Sequence, residues 1–227
     1  TVFPFTLPVN EGPDFNQIAD ILRKEIFTFE KDKSGNYSQT PAIDNWEQKL
    51  NDYHNELIEL IAESDEKLLE IFFEKGELTE DELRSGLHQA LKSEGLIPVF
   101  CVSGEKNIGV KRMMDILAKY APCAGDFTEV KGTKPGSDEE IIHGSTENDP
   151  LAIRVFKTIS EEHIGEMSFF RVYSGKVNAG DDLNNTSRNN SEKMRQLYFM
   201  SGNKRKDASQ LIAGDIGAAL KLKNTHT

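Results

Sequence analysis

Few residues of this sequence have types and spacing that could do chemistry, and the clearest candidate is a glycine frame. Gly104 and Gly109 are separated by four residues, after an apolar run and before a helix-like segment, as in loops that cradle phosphates. Such a loop needs a lysine directly after the second glycine and then Ser or Thr, because these groups reach the phosphates and the magnesium ion. This chain has Val110 and Lys111 there. The sequence therefore predicts no phosphate binding at this loop.

The cysteines and histidines also lack the spacing of a metal or redox site. Cys101 and Cys123 are the only two cysteines, which is typical of a reducing cytoplasm rather than of a disulfide framework. The turn Asp32–Asn36 lacks the acidic ligands of a calcium loop. The histidines form no i, i+4 pair and have no neighbouring cysteine; they are His54, His88, His143, His163 and His226. We expect no bound metal.

Charge is divided unevenly along the chain. Residues 1–148 carry 15 basic and 29 acidic residues, whereas residues 149–227 carry 12 basic and 9 acidic residues. The first part would be repelled by nucleic acid and could attract a basic protein, and the second could lie against phosphates. The sequence contains no apolar run of the roughly 18 residues that a membrane span needs, and 37% of its residues are hydrophobic. These features predict a globular protein of two domains with neither DNA nor membrane as a partner.

The first 43 residues are predicted to be mainly strands. Prolines in Val2–Val9 favour an edge strand. Phe15–Leu22 favours a helical turn or two, and Glu25–Phe29 can pair with Tyr37–Ile43 as a hairpin.

From Asp44 the apolar period becomes helical. Two helices are predicted to begin with a capping box, one formed by Asp44 with Glu47 and the other by Thr79 with Glu82. Between these starts, the helical region is expected to break near Ser64 and to end with a C-cap at Gly76. The apolar stripe of the first helix consists of Trp46, Leu50, Tyr53, Leu57, Leu60, Ile61 and Leu68.

The opposite face of that helix carries an acidic ridge, which we define as Asp52, Glu56, Glu59 and Glu63. Like charges four residues apart on a helix cost about 0.2–0.5 kcal/mol per pair, and a lysine would avoid that cost on a merely solvating face. The pattern therefore favours a docking surface.

Residues 96–227 are predicted to form one strand-loop-helix unit followed by a small barrel. Leu96–Val102 is a continuous apolar run, typical of a strand covered on both faces of a parallel sheet, and a helix follows from Val110. Residues 122–148 have the composition of an interdomain connector, and Gly165–Asp181 predicts a hairpin. Short strands with glycine turns then predict an antiparallel barrel; they are Leu151–Thr158, Gly165–Tyr173, Val177–Asn184, Lys193–Met200 and Ile216–Leu222.

The barrel part of the sequence resembles the second domain of the elongation factor G family, the translational GTPases of ribosomal translocation. Four segments follow the family pattern in order: Pro150–Lys157, Phe169–Val177, Gly180–Asp181 and Ala213–Ile216. Val99–Val110 is similar to the family's last guanine-contacting loop, and Gly76–Glu80 to its insertion subdomain. Where the family usually has Gly-Ser-Ala, this chain has Val102-Ser103-Gly104, so the serine is kept and both of its neighbours differ. In addition, residues 161–164 lack the family's usual proline. These departures predict a divergent paralogue.

The resemblance implies an α+β multi-domain chain. Residues 1–9 and 96–121 would be the α/β C-terminal remnant of the GTPase domain, and residues 10–95 its acidic helical and hairpin insertion. Residues 122–148 would be a connector, and residues 149–227 the antiparallel translation-factor β-barrel, domain II. The strand Ile97–Val102, without the rest of its sheet, is expected to have an exposed edge and a tendency to associate.

The resemblance also implies three binding surfaces. Ser103 and Gly104 would line the guanine in the intact protein, and the acidic ridge would face the ribosomal stalk protein. The barrel would lie near small-subunit ribosomal RNA, with phosphates close to Arg188, Lys193, Arg195, Lys204, Arg205 and Lys206.

By the same resemblance the intact protein binds and hydrolyses GTP with magnesium during protein biosynthesis in the cytoplasm. The family's phosphate loop, switch segments and Asn-Lys-x-Asp element all precede the segment that this chain resembles. We therefore expect this chain to be a fragment with no catalytic residue and no bound cofactor, which supplies ribosome- and stalk-binding surfaces. Two alternatives stay open: another ribosome-associated translational GTPase, such as a recycling or protection factor, and a non-GTPase acidic adaptor.

Overall fold

A computed structural model of the chain describes residues 1–161, 165–225 and 227. The loop that lacks the family's usual proline, residues 161–164, lies outside the described residues from position 162 onward, and so do His163 and His226. The chain divides into two units, Thr1–Pro122 and Cys123–Thr227. The predicted α+β organisation, with a helical part and an antiparallel barrel part, is confirmed. None of the helices in the described ranges has the length and apolarity that crossing a bilayer requires.

The first unit combines a small antiparallel sheet with helices. Strands β2-β3-β4-β5 are neighbours in that order, and β1 pairs in parallel with β6. In chain order the elements are β1 Val2–Pro4, β2 Thr6–Pro8, β3 Gln17–Asp20, β4 Glu25–Phe29, β5 Tyr37–Pro41, α1 Asn45–Ala62, α2 Glu66–Lys75, α3 Glu80–Lys92, β6 Ile97–Val99 and α4 Val110–Tyr120. The predicted hairpin of β4 and β5 is confirmed, with Phe29 opposite Tyr37.

The helical turn predicted over Phe15–Leu22 is wrong, because this segment contains strand β3. β3 lies between β2 and β4, and its residues Ile18, Ala19 and Asp20 are all buried. A strand covered on both faces loses the alternation of apolar and polar residues by which strands are recognised.

The helices pack one apolar side into a common core. Leu50, Leu57 and Ile61 of α1 are fully buried and lie in one cluster with Leu87 of α3 and Ile116 of α4. The apolar side of α1 thus packs into the core of the first unit, and the acidic ridge on the opposite side faces solvent.

The helix ends agree with the predictions except at Asp44. Thr79 and Glu82 form the predicted capping box, and Gly76 ends α2 with a φ of 74°. Asp44 accepts no capping hydrogen bond, so the box predicted with Glu47 is wrong. An N-cap side chain reaches the helix from extended backbone, whereas Asp44 has a φ of 52°.

The prediction that Leu96–Val102 is covered on both faces is also wrong. In the described part of the chain β6 pairs with β1 alone, and the residues Ile97 and Val99 are 51% and 44% exposed. The expected exposed edge is present, and the tendency to associate stays a prediction.

The second unit begins with a hairpin and continues as the barrel part. β7 pairs with β8 inside the segment predicted to be a connector. These two strands were not predicted, because their exposed polar side chains do not alternate with apolar ones. A five-stranded sheet has the order β15-β14-β17-β10-β9, with two-stranded pairs β11-β16 and β12-β13. The elements are a short 3-10 helix Ala124–Asp126, β7 Glu129–Thr133, β8 Glu140–Gly144, β9 Ala152–Glu161, β10 Gly165–Ser174, β11 Lys176–Asn178, β12 Asp182–Asn185, β13 Asn190–Lys193, β14 Leu197–Ser201, β15 Lys204–Ala208, β16 Gln210–Ile212 and β17 Ile216–Leu220.

The hairpin predicted over Gly165–Asp181 is wrong in its pairing. β10 pairs with β9 and β17, whereas β11 pairs with β16. Gly175 has a φ of 73°, and a Cβ atom there would lie 2.7 Å from the carbonyl oxygen of Asp149. This close approach lets the chain leave one sheet and enter the next. The core between them includes Phe170, Val172 and Leu211.

Candidate functional site

The loop predicted to contact guanine is closed by its own backbone. The N–H of Ser103 donates to the carbonyl of Ile108 at 2.9 Å, and the N–H of Ile108 donates back at 3.0 Å. The Ser103 hydroxyl accepts a bond from the Lys106 N–H at 3.4 Å. Gly104 is exposed, and no described atom lies within 4 Å of the position of a Cβ there. The loop is preformed, with an open face at Gly104.

Two turns of the preceding sheet hold the other side of this loop. The Lys106 ammonium donates to the Pro13 carbonyl, and the Asn107 amide donates to the Lys33 carbonyl at 3.3 Å. A Cβ at Gly35 would lie 2.6 Å from the Asn107 amide nitrogen, so glycine is needed there. Sequence patterns carried no signal for these contacts, since the partners are far apart along the chain.

A buried ion pair fixes helix α4, which follows the loop, to strand β3. The Nε of Arg112 lies 2.5 Å from Oδ2 of Asp20, and Nη2 lies 3.2 Å from Oδ1. The Asp20 side chain is fully buried and that of Arg112 is 9% exposed. The Asp20 carboxylate also accepts a bond from the Arg23 N–H at 2.9 Å. Loss of either partner would leave the other charge buried and unpaired.

Three residues of the acidic ridge lie on α1 and the fourth, Glu63, is its C-cap residue; all four residues are exposed. Among the described residues, no ion pair neutralises any of them. The last turn of α1 contains no basic residue, although a cation there would be favourable. The ridge therefore presents an uncompensated negative surface.

One histidine of α1 faces the interior rather than the ridge. The Nδ1–H of His54 donates to the Ile21 carbonyl at 2.9 Å. Burial lowers the pKa of His54, partly offset by that hydrogen bond. A neutral His54 at pH 7 adds no positive charge beside the ridge.

An exposed aromatic residue of α2 was missed by the sequence interpretation. Phe73 is 77% exposed, and α2 contains no buried residue although it packs along α1. The run Ile71-Phe72-Phe73 was the available signal, because three adjacent large apolar residues cannot all face one core.

The six predicted RNA-facing residues are all exposed but do not form one patch. Lys204, Arg205 and Lys206 alternate along β15, the edge strand, so that Arg205 lies on the opposite face from its two neighbours. Arg188 lies between β12 and β13.

Lys193 and Arg195 instead line a groove of about 770 Å³ together with Lys221 and Lys223. We call these four residues the basic groove. Glu192 also lines it, but this residue is only 6% exposed and its carboxylate accepts bonds from backbone N–H groups, including that of Lys223 at 3.0 Å. Lys193 also lies 3.6 Å from Asp182. Lys221 and Lys223 were missed because they lie about 30 residues along the chain from their groove partners.

Comparison with known proteins supports the resemblance noted from the sequence. Residues 150–227 match the family model of elongation factor G domain 2. The fold is similar to a crystal structure of a protein from Thermus thermophilus, with a TM-score of 0.74 and 24% identity over 99% of this chain. This chain spans 31% of the length of that protein, and at such an identity the likeness concerns the fold. The second unit therefore matches elongation factor G domain 2 over residues 150–227, and the chain as a whole shares the fold of part of the Thermus thermophilus protein.

Proposed function

We propose that this chain is the ribosome-facing part of an elongation factor G-like protein that acts in ribosomal translocation in the cytoplasm. The observation that carries the proposal is the match of residues 150–227 to elongation factor G domain 2. This match supports a translation factor, and the two charged surfaces supply the rest of the argument.

In this proposal the acidic ridge docks the ribosomal stalk protein. Four exposed carboxylates along one face of α1, with no described basic partner, repel RNA and attract a basic protein surface. Such complementarity mainly raises the rate of encounter, and it weakens as salt rises.

The barrel, in contrast, faces small-subunit ribosomal RNA. The basic groove gathers four cations in one concave surface, and Lys204, Arg205 and Lys206 add charge along β15. Each phosphate that a lysine or arginine neutralises releases a counterion, so the affinity depends on salt.

GTP and magnesium would be held largely by residues of the longer protein outside this chain. The open backbone at Gly104, next to Ser103, suits contact with the edge of a guanine. The residues after Gly109 do not suit phosphates or magnesium, since Val110 and Lys111 occupy the positions where a lysine and then Ser or Thr are needed. We propose that the intact protein hydrolyses GTP and that residues 1–227 alone neither bind GTP tightly nor hydrolyse it. Micromolar GTP affinity of this chain in calorimetry would contradict this.

The test of the function uses charge reversal at Glu56 and Glu59 in the full-length protein. We expect slower ribosome-dependent GTPase activation, because the stalk contact loses its negative charge. Reversal of Glu147, an exposed acid of the second unit, is the control and should change nothing. Unchanged activation by the ridge variant would refute the stalk assignment, and a correctly folded chain with no ribosome affinity would favour the acidic adaptor.

A further inference from the structure

A second concave site lies in the second unit, away from the basic groove. Two cavities of about 340 and 270 Å³ adjoin each other, and both are lined by Val130, Lys131 and Tyr173. They lie between the β7-β8 hairpin and strands β9 and β10. We call them together the hairpin cleft.

The hairpin cleft contains two arginines that face each other, whereas its Lys131 pairs with Glu140 at 3.2 Å and Glu129 also lines it. Arg154 of β9 and Arg171 of β10 are directly opposite each other in the strand pairing, where like charges repel. The Nε of Arg171 is buried without a hydrogen-bond partner among the described residues. No described carboxylate forms an ion pair with either arginine. A buried charged donor without a partner is costly, and a bound anion would relieve both this cost and the repulsion.

Aromatic side chains complete the cleft. The guanidinium of Arg171 lies 5.1 Å from the ring centre of Tyr173. Phe127 lines one cavity and is 43% exposed, and His143 lines the other. Rings beside cations are the combination by which proteins hold a nucleobase and its phosphate together.

We propose that the hairpin cleft binds one nucleotide unit, with the phosphate between Arg154 and Arg171 and the base against Tyr173. The nucleotide is either part of single-stranded RNA or free in solution. The proposal goes beyond the function proposed above, because it uses none of the residues of the acidic ridge, the guanine loop or the basic groove.

The test measures binding of the full chain to a labelled single-stranded RNA hexamer by fluorescence anisotropy, with adenosine monophosphate as competitor. Arg154→Gln should weaken RNA binding about fivefold or more and lower the slope of log affinity against log salt by about 0.7, as for one phosphate contact. Tyr173→Leu should weaken binding about five- to 150-fold, the range for one stacked base. Because Tyr173 is half-buried, far-UV circular dichroism is used to check that the Tyr173 variant is folded. Arg154 is exposed, so its substitution tests the cleft without disturbing the core.

The matched control is Lys157→Gln, which removes one positive charge from the same strand β9 outside the cleft. Its affinity should stay within about twofold of that of the unchanged chain, since it loses no direct phosphate contact. Competition by the monophosphate at the affinity seen for RNA identifies a free nucleotide as ligand, and binding of the hexamer alone identifies RNA. Equal losses in the Arg154 and Lys157 variants, no loss in the Arg154 variant, or no binding of either probe would overturn the proposal.

Discussion

The two charged surfaces of this protein are built in opposite ways. The acidic ridge comes from four carboxylates within twelve residues of α1 and its C-cap, whereas the basic groove joins Lys193 and Arg195 to Lys221 and Lys223 from a distant segment. A helix returns to the same face every three or four residues, so its charge is local in sequence. A sheet alternates faces and pairs distant strands, so its charge depends on the topology. The ridge should therefore survive whenever α1 folds, and the groove only when the barrel closes.

The largest expected effect comes from breaking the buried pair that fixes α4 to β3. Asp20→Asn leaves the Arg112 charge buried without a carboxylate, and we expect a loss of about 3–5 kcal/mol in the free energy of unfolding of the first unit. Trp46 of α1 is the single tryptophan of the chain, so its fluorescence during urea unfolding reports on that unit.

The control for Asp20 is Glu80→Gln, which breaks the exposed pair with Lys119 at 3.1 Å and should change little. Equal midpoints for the two variants would show that the buried pair does not hold the first unit together.

A second prediction separates the basic groove from strand β15. Replacing Lys221 and Lys223 by Gln should lower the salt slope of ribosome binding by about 1.4–1.8, because two phosphate contacts are lost. Replacing Lys204, Arg205 and Lys206 by Ala should lower the salt slope by less than the loss of three phosphate contacts would, since Arg205 lies on the opposite face of β15 from the two lysines. An unaltered slope in the groove variant would show that RNA does not lie there.

The same contrast explains which features the sequence predicted. The ridge, the capping box of Thr79 and the C-cap at Gly76 were predicted because each depends on residues three or four apart. β3 was missed because burial on both faces removed its alternation, and β15 because charges filled both faces of an edge strand. The basic groove and the hairpin cleft depend on strand pairing between distant segments, which no local pattern encodes.

The smallest expected effect concerns pH and the first unit. Burial lowers the pKa of His54 below its ordinary 6.5, so the unfolded chain takes up this proton at a higher pH than the folded chain. The associated stability is present above about pH 6.5 and is lost as the pH falls. His54→Asn should flatten the decrease in the Trp46 unfolding midpoint between about pH 7.5 and pH 5.5, whereas His143→Asn in the second unit should not. An unchanged pH profile in the His54 variant would contradict the assignment.

The central claim, that the acidic ridge is the part of this chain that docks the stalk protein, is tested most directly by calorimetry of the full chain with the isolated stalk protein. We predict measurable binding that weakens as salt rises and is abolished when Glu56 and Glu59 are changed to Lys, while reversal of Glu147 leaves it intact. Binding that is equally strong for the ridge variant, or no binding by the unchanged chain, would contradict the claim.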